Sequence, residues 1–422
     1  MSKITIEGGH TLSGVVNIGG AKNSTVALIP ASILSNEKSV IYNVPQISDI
    51  EYLIKILELL NCKCEKKDDA LYIDSTNIKN AEIPYELTSK LRASYYFMGS
   101  LLAKFKSVTI YFPGGCKIGA RPIDLHLMGF ELLGAKVEYL EEEKKYIITS
   151  EELKGNNIYL DVASVGATIN IMLAAVGAKG TTVIENAARE PEIVNVASFL
   201  INMGAKIAGA GTNKIVIEGN HKLGKGVVDV FPDRIEAGTY IIMGALIGDN
   251  LVIKGAIKEH INAFLIKLEE CGIEYKYDKY EDTITISKCS DFKPVSIKTL
   301  VYPGFPTDLQ QPITTLLTQA KGKSKIEETI YENRFQNSEY LNEMGANTGI
   351  VNGNLIIKGP TKLVGTSVTA SDLRAGACLL IAGLIAEGTT TIDHAEHILR
   401  GYDDIINKLT NVGAKIELDE YN

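Results

Sequence analysis

The sequence repeats itself six times. Apolar segments of helical character recur as AKNSTVALIPASIL from residue 21, LRASYYFMGSLLAKF from 91, SVGATINIMLAAVGA from 164, DRIEAGTYIIMGALIG from 233, PTDLQQPITTLLTQA from 306 and SDLRAGACLLIAGLIA from 371. A spacing of about 70 residues is the size of a domain-building unit, larger than a solenoid repeat. A strand-like stretch such as SVTIYF or GTTVIE follows the segment, then an amphipathic one such as IEYLIKILELL or EIVNVASFLINM. A turn such as LGAKVE or VGAKIE and a closing strand such as YIITS or NLIIKG complete the unit. The first helix of each unit is apolar nearly all round and is predicted to be buried; the second carries one apolar stripe and is predicted nearer solvent. The fold class that results is α/β, with six units of βαβαββ type in two lobes of three and sheets wrapped around central helices. Crossings between lobes are predicted near residues 20 and 231, which gives one lobe over 21–231 and another from 1–20 plus 232–422. The opening strand pair KITIEGGHTLSGVVNI would complete the second lobe.

Charge narrows the ligands. A net charge of -8 over 422 residues argues against a nucleic-acid surface, which shows as a basic excess. An anionic ligand must therefore be held by locally gathered cations. Only seven of the 43 Lys+Arg residues are arginine: Arg92, Arg121, Arg189, Arg234, Arg334, Arg374 and Arg400. Where lysine is the default cation, arginine marks places that need a planar two-pronged donor for carboxylate or phosphate.

The other compositional signals are mostly negative. The opening MSKITIEGG lacks the succession of a secretory signal, and no apolar run reaches the roughly 18 residues of a membrane span, so a cytoplasmic location is expected. The six cysteines are dilute and read as thiols, with Cys62, Cys64, Cys271, Cys289 and Cys378 expected as small core residues. Cys62 and Cys64 form CxC and His394 and His397 form HxxH, neither of which matches a zinc motif. There is no GxGxxG after a strand and no Walker A, since Gly322-Lys323-Ser324 lacks the earlier glycine. No metal, no cofactor and no membrane partner is expected.

The polar residues fall at two positions of the repeat. Lys22 and Asn23 open the first apolar helix, Arg92 the second, Ser164 to Thr168 the third, Arg234 the fourth, Asp308 the fifth and Arg374 the sixth. Helix starts offer unpaired N–H groups and partial positive charge, so a cation there is unfavourable for the helix alone and points to an anionic ligand. The second position is the connection from strand to amphipathic helix, which carries Cys116 and Arg121, Arg189, Arg334 and Arg400. In the second unit this connection is long and rich in glycine, GGCKIGARPIDLH over 114–126, and reads as a lid. Cys116, flanked by glycine, lysine and arginine, sits in an electropositive setting that tunes a thiol.

These segments resemble the UDP-N-acetylglucosamine 1-carboxyvinyltransferase family of enolpyruvyl transferases. The likeness runs from GGAKNS at 19–24 through LRAS, GGCKIGARPIDLH, SVGATINIMLAA, ENAAREPEI, PTDLQ, ENRF and SDLRA to RGYDDI at 400–405. It implies a two-lobed inside-out α/β barrel with the active site in the cleft between lobes. It also implies transfer of the enolpyruvyl group of phosphoenolpyruvate to the sugar 3-hydroxyl by addition and elimination of phosphate, a step of peptidoglycan synthesis. By the resemblance Lys22, Arg121 and Arg400 hold the phosphate of phosphoenolpyruvate, with Arg334 and Arg374 near its carboxylate. Asn23, Arg92 and Asp308 face the sugar nucleotide. Arg121, Pro122, Ile123, Asp124, Leu125 and Ile330 line the uridine site, and Ser164, Val165 and Gly166 offer helix-start amides to the diphosphate. Cys116 is the proton donor, Asp308 the base or the orienter of the hydroxyl, and fosfomycin is expected to inactivate the protein at Cys116. Many relatives carry lysine just before SVGAT where this chain has Ala163, so that diphosphate contact is not carried over.

Two other readings remain. A 3-phosphoshikimate 1-carboxyvinyltransferase would share fold and phosphoenolpyruvate, but the Cys116 loop and the stretch ARPIDL disfavour it. A silent sugar-nucleotide-binding scaffold is disfavoured by the presence of Lys22, Cys116, Asp308 and Arg400.

Overall fold

A computed structural model describes residues 2–112 and 122–420. The described residues divide into two compact units, one of residues 2–19 and 232–420, the other of residues 20–112 and 122–231. Each has its own hydrophobic core. One core gathers buried side chains between Ile4 and Ile416, the other those between Ala21 and Val230.

The six apolar segments form helices Lys22–Ser32, Tyr96–Phe105, Val165–Ala175, Arg234–Ile247, Gln310–Leu317 and Leu373–Ile385. They are buried almost all round because they have almost no polar side: in the last, Leu379, Leu380 and Ile381 are fully enclosed, as are Ile169, Ile171 and Leu173 in the third. Truncating any one such side chain to alanine costs about 2–5 kcal/mol. The amphipathic partners run Ser48–Leu59, Asp124–Leu132, Pro191–Asn202, Lys258–Glu270, Asn337–Glu343 and Ile405–Asn411.

All six partner helices end in the same way. The second residue after the helix adopts a left-handed backbone, Gly134, Gly204, Gly272, Gly345 and Gly413 in five repeats and Asn61 in the first. The next N–H reaches back five residues to a helix carbonyl, from Cys62 to Leu57, Ala135 to Phe130, Ala205 to Leu200, Ile273 to Leu268, Ala346 to Leu341 and Ala414 to Leu409. This closure satisfies carbonyls that the helix leaves bare and turns the chain into the strand that follows.

Among the described residues there are six sheets, five of four strands and one of three. The third repeat shows the plan: Asn157–Tyr159 lies parallel to Thr181–Glu185 because a buried helix crosses between them, and the hairpin Lys206–Ala208 with Lys214–Glu218 adds antiparallel strands. The first and fourth repeats take their parallel edge strand from a distant stretch, Val227–Asp229 beside Lys38–Tyr42 and Val15–Asn17 beside Leu251–Lys254. In the sixth, Ser2–Glu7 lies between Thr389–Asp393 and Lys415–Glu420, antiparallel to both. The expected opening strand pair is therefore not a pair: its two strands join different sheets, since each completes a different repeat. No helix of the described residues is long and apolar enough to cross a membrane.

Candidate functional site

Three of the singled-out residues meet in the unit of residues 2–19 and 232–420. Asp308 lies on the short turn Thr307–Leu309 ahead of the fifth buried helix, Arg374 in the first turn of the sixth, and Arg334 on the strand-to-helix connection of the fifth repeat. Arg334 Nη2 donates to Asp308 Oδ1 at 2.7 Å and Arg374 Nη2 to Oδ2 at 3.1 Å. The arginine side chains are only 3% and 4% exposed, while the carboxylate keeps 26% of its surface open. Burial alone would raise the Asp308 pKa, but the guanidinium charges of Arg374 and Arg334, with Arg234 behind them, outweigh it and hold the carboxyl well below its ordinary range. Nε of Arg334 and Nη1 of Arg374 are buried and make no hydrogen bond to other described groups. Donors of this kind, enclosed and unspent, suit an anion.

The helix starts are built to carry this charge. Asp372 caps the sixth helix by accepting from the N–H groups of Arg374 and Ala375, which offsets the cation beside that helix end. Asp233 does the same ahead of Arg234, whose guanidinium lies over the Tyr302 ring at 5.6 Å. Arg374 in turn stacks on buried Tyr402 at 5.3 Å. Arg400 is half-buried just after the short helix Glu396–Leu399, and Ile330 is half-buried two residues beyond Glu328.

The other unit holds the remaining candidates. Lys22, the first residue of its helix, is paired with Asp49 of the partner helix, Nζ to Oδ2 at 2.7 Å, with the carboxylate side chain 1% exposed. Asn23 beside it is half-buried. Arg92 starts the 3-10 turn Arg92–Tyr95 and lies over the Tyr95 ring at 5.9 Å. Tyr95 packs edge-on against His126, whose Nδ1 is 3.0 Å from the amide nitrogen of Asn170. Burial pushes the His126 imidazole down to about 3, and the charge of Arg92 adds to this, so the ring is neutral at physiological pH. Ser164 caps the third buried helix through the N–H of Ala167. Gly166 leaves room for these rings: a Cβ there would stand 2.8 Å from the Tyr95 hydroxyl and 3.0 Å from His126. Pro122 and Asp124 are exposed, Leu125 is half-buried, and Ile123 is buried in the core. Val165 is half-buried, while Arg189 is exposed. Cys116 and Arg121 lie outside the described residues. Of the other cysteines Cys62, Cys271 and Cys378 are buried as expected of small core residues, and Cys64 and Cys289 are half-buried.

Sequence reasoning passed over Asp49, His126, Asn170, Thr307 and Glu328. His126 closes the glycine-rich segment that was singled out, and Asp49 is a carboxylate that the helix Ser48–Leu59 turns inward, so both left a signal. Thr307 lies within PTDLQ and Asn170 within SVGATINIMLAA, both singled out for other residues, whereas Glu328 left no signal, because its partners Thr299 and Thr307 are brought to it only by the fold.

Fold and side chains together define an α/β repeat protein that gathers cations at the starts of its buried helices. A family model described as EPSP synthase (3-phosphoshikimate 1-carboxyvinyltransferase) matches residues 6–409. UDP-N-acetylglucosamine 1-carboxyvinyltransferase of Streptococcus pneumoniae (strain Hungary19A-6) is 50% identical over 420 residues, covering 100% of both chains. UDP-N-acetylglucosamine 1-carboxyvinyltransferase 2 of Latilactobacillus sakei is 51% identical over 421 residues, again covering 100% of both. Among solved structures, the enolpyruvyl transferase NikO from Streptomyces tendae superposes with a TM-score of 0.90 at 26% identity, over 100% of this chain and 99% of that one. EPSP synthase from Acinetobacter baumannii shares the fold at a TM-score of 0.76 and 18% identity over 100% of each chain. The chain belongs to the enolpyruvyl transferase family, whose α/β repeat fold it has.

Proposed function

We propose that the chain transfers the enolpyruvyl group of phosphoenolpyruvate to the 3-hydroxyl of UDP-N-acetylglucosamine and releases inorganic phosphate. The observation that carries this reading is the carboxylate of Asp308 gripped by Arg334 and Arg374, a charge arrangement suited to orienting a hydroxyl beside an anionic co-substrate. The full-length identity of 50% to proteins named for this reaction supports it. In the addition step the methylene carbon of phosphoenolpyruvate takes a proton from the Cys116 thiol as the carbon–carbon double bond becomes single, while the sugar oxygen bonds to its central carbon and its hydroxyl proton passes along the hydrogen bond to the Asp308 carboxylate and on to solvent. In the elimination step the new methyl group returns a proton, the carbon–oxygen bond to phosphate breaks, and the enolpyruvyl ether forms.

The roles rest on the resemblance to the family, and the residue types suit them. Cys116 supplies the proton to carbon, since a thiol near its reference value of ~8.5 still carries one at neutral pH. Lys22, Arg121 and Arg400 hold the phosphate, and Arg334 and Arg374 stabilise charge at the carboxylate end. Asn23, Arg92, Pro122, Ile123, Asp124, Leu125, Ser164, Val165, Gly166 and Ile330 receive the sugar nucleotide. The depressed pKa of Asp308 makes it a weak base, so it orients the hydroxyl and accepts its hydrogen bond. The product is a building block of peptidoglycan, and the work is cytoplasmic.

The test is phosphate release from phosphoenolpyruvate with UDP-N-acetylglucosamine or shikimate 3-phosphate as acceptor. Release with the sugar nucleotide alone is expected, together with its loss in Cys116→Ala and protection of that variant from labelling by fosfomycin. Release with shikimate 3-phosphate alone, or binding of the sugar nucleotide without release, would overturn the reading.

A further inference from the structure

We propose that Glu328 is a positioning residue for this transfer, its carboxylate tying the segment that carries Ile330 to the turn that carries Asp308. The inference rests on the function proposed above. Four donors converge on this one side chain, which follows the strand Gly322–Glu327. Oε1 accepts from the Thr299 hydroxyl at 2.8 Å, the Ile330 N–H at 2.8 Å and the Tyr331 N–H at 3.2 Å. Oε2 accepts from the Thr307 hydroxyl at 2.8 Å. Thr299 is fastened to the same segment from the other side, taking the Thr329 N–H at 2.9 Å and giving its carbonyl to the Thr329 hydroxyl at 2.6 Å.

The direction of these bonds is fixed by chemistry. An ionised carboxylate only accepts, so Thr307 must spend its single proton on Glu328 and is left with lone pairs. Arg334 Nη1 donates to those lone pairs at 3.0 Å, and Nη2 of the same guanidinium grips Asp308. A run of charge-assisted bonds thus leads from the backbone at Ile330, through Glu328 and Thr307, to the Arg334–Asp308 pair. The segment assigned to the nucleoside and the groups assigned to the chemistry are held in one register by Glu328 and Thr307, which are themselves assigned to neither substrate.

The variants Glu328→Gln and Thr307→Val break the run at different points. A glutamine carbonyl can satisfy the three donors at Oε1, but its NH₂ then faces Thr307 and competes with Arg334 for the same lone pairs. Thr307→Ser keeps the hydroxyl. Measured by UDP-N-acetylglucosamine-dependent phosphate release, Glu328→Gln and Thr307→Val should each lower kcat about tenfold, a size in keeping with small misplacement of catalytic groups. Glu328→Ala, which also releases the Ile330 and Tyr331 N–H groups, should in addition raise the KM for the sugar nucleotide several-fold, which Thr307→Val should not. Thr307→Ser should retain wild-type kcat, and the double variant should be no worse than the poorer single one, because both act through one run. Wild-type kcat in Glu328→Gln, wild-type KM in Glu328→Ala, equal losses in the serine and valine variants, or losses that multiply in the double variant would each overturn the inference. If the Glu328 variants do not fold, the valine and serine variants decide it. A silent wild type overturns the functional reading, and this inference with it; an active wild type matched by its variants overturns the inference alone.

Discussion

At the scale of single residues, buried charge is handled by close pairing. Lys22 is the clearest case outside the arginine cluster, since an ammonium at a helix start is opposed by the helix dipole and is kept there by Asp49. Asp49→Asn removes that support. It is expected to lower kcat/KM for phosphoenolpyruvate by about tenfold or more, equivalent to ~1.4 kcal/mol, with a smaller effect on the KM for the sugar nucleotide. Steady-state kinetics with each substrate varied in turn checks this. His126 gives the opposite kind of signal. Its folded pKa of about 3 lies below the unfolded value, so its contribution to stability is complete above about pH 6.5 and is lost as pH falls from there through about 3. Urea unfolding across that window should show a loss of up to about 1.4 kcal/mol per pH unit that His126→Gln removes, while activity between pH 6 and 8 owes no ionisation to this ring.

At the scale of elements, the repeated closure of the partner helices explains why glycine recurs in the turns LGAKVE, MGAKIA, MGANTG and VGAKIE. Gly204→Ala places a Cβ at φ 110° and is expected to cost about 1–2 kcal/mol, read from the urea midpoint. Asn61→Gly, at φ 63°, is expected to leave the midpoint nearly unchanged, because asparagine already tolerates that backbone. These turns were legible in the sequence, as were the buried helices and the cations at their starts, because each is written in neighbouring residues. What the cations meet was not legible. Asp308 was read as facing a sugar and Lys22 a phosphate, but in the structure each also has a protein partner, Arg334 and Arg374 for one and Asp49 for the other. Those partners sit 26, 66 and 27 positions away along the chain, and no local pattern records such distances.

At the scale of the whole molecule, each unit borrows strands from remote parts of the chain. The opening residues read as a strand pair because both stretches alternate, and alternation does not say which neighbour a strand will choose. Ser2–Glu7 is enclosed on both sides by strands from the sixth repeat, with Ile4 and Ile6 fully buried. Deleting residues 1–8 is expected to remove about 3–6 kcal/mol of burial from these two side chains alone and to strip Lys415–Glu420 of its only strand partner among the described residues. A shortened chain should therefore melt well below the full-length one or fail to become soluble, whereas exposed Tyr280 on its hairpin can be replaced without effect on melting.

The pairing of Ser2 with Glu420 on adjacent strands carries a topological consequence. With Ser2 and Glu420 facing each other across one sheet, a short linker can join the two strands without breaking their register. A circular permutant, joined there and reopened at a surface hairpin such as the one bearing Tyr280, is expected to keep every strand pairing of the described residues.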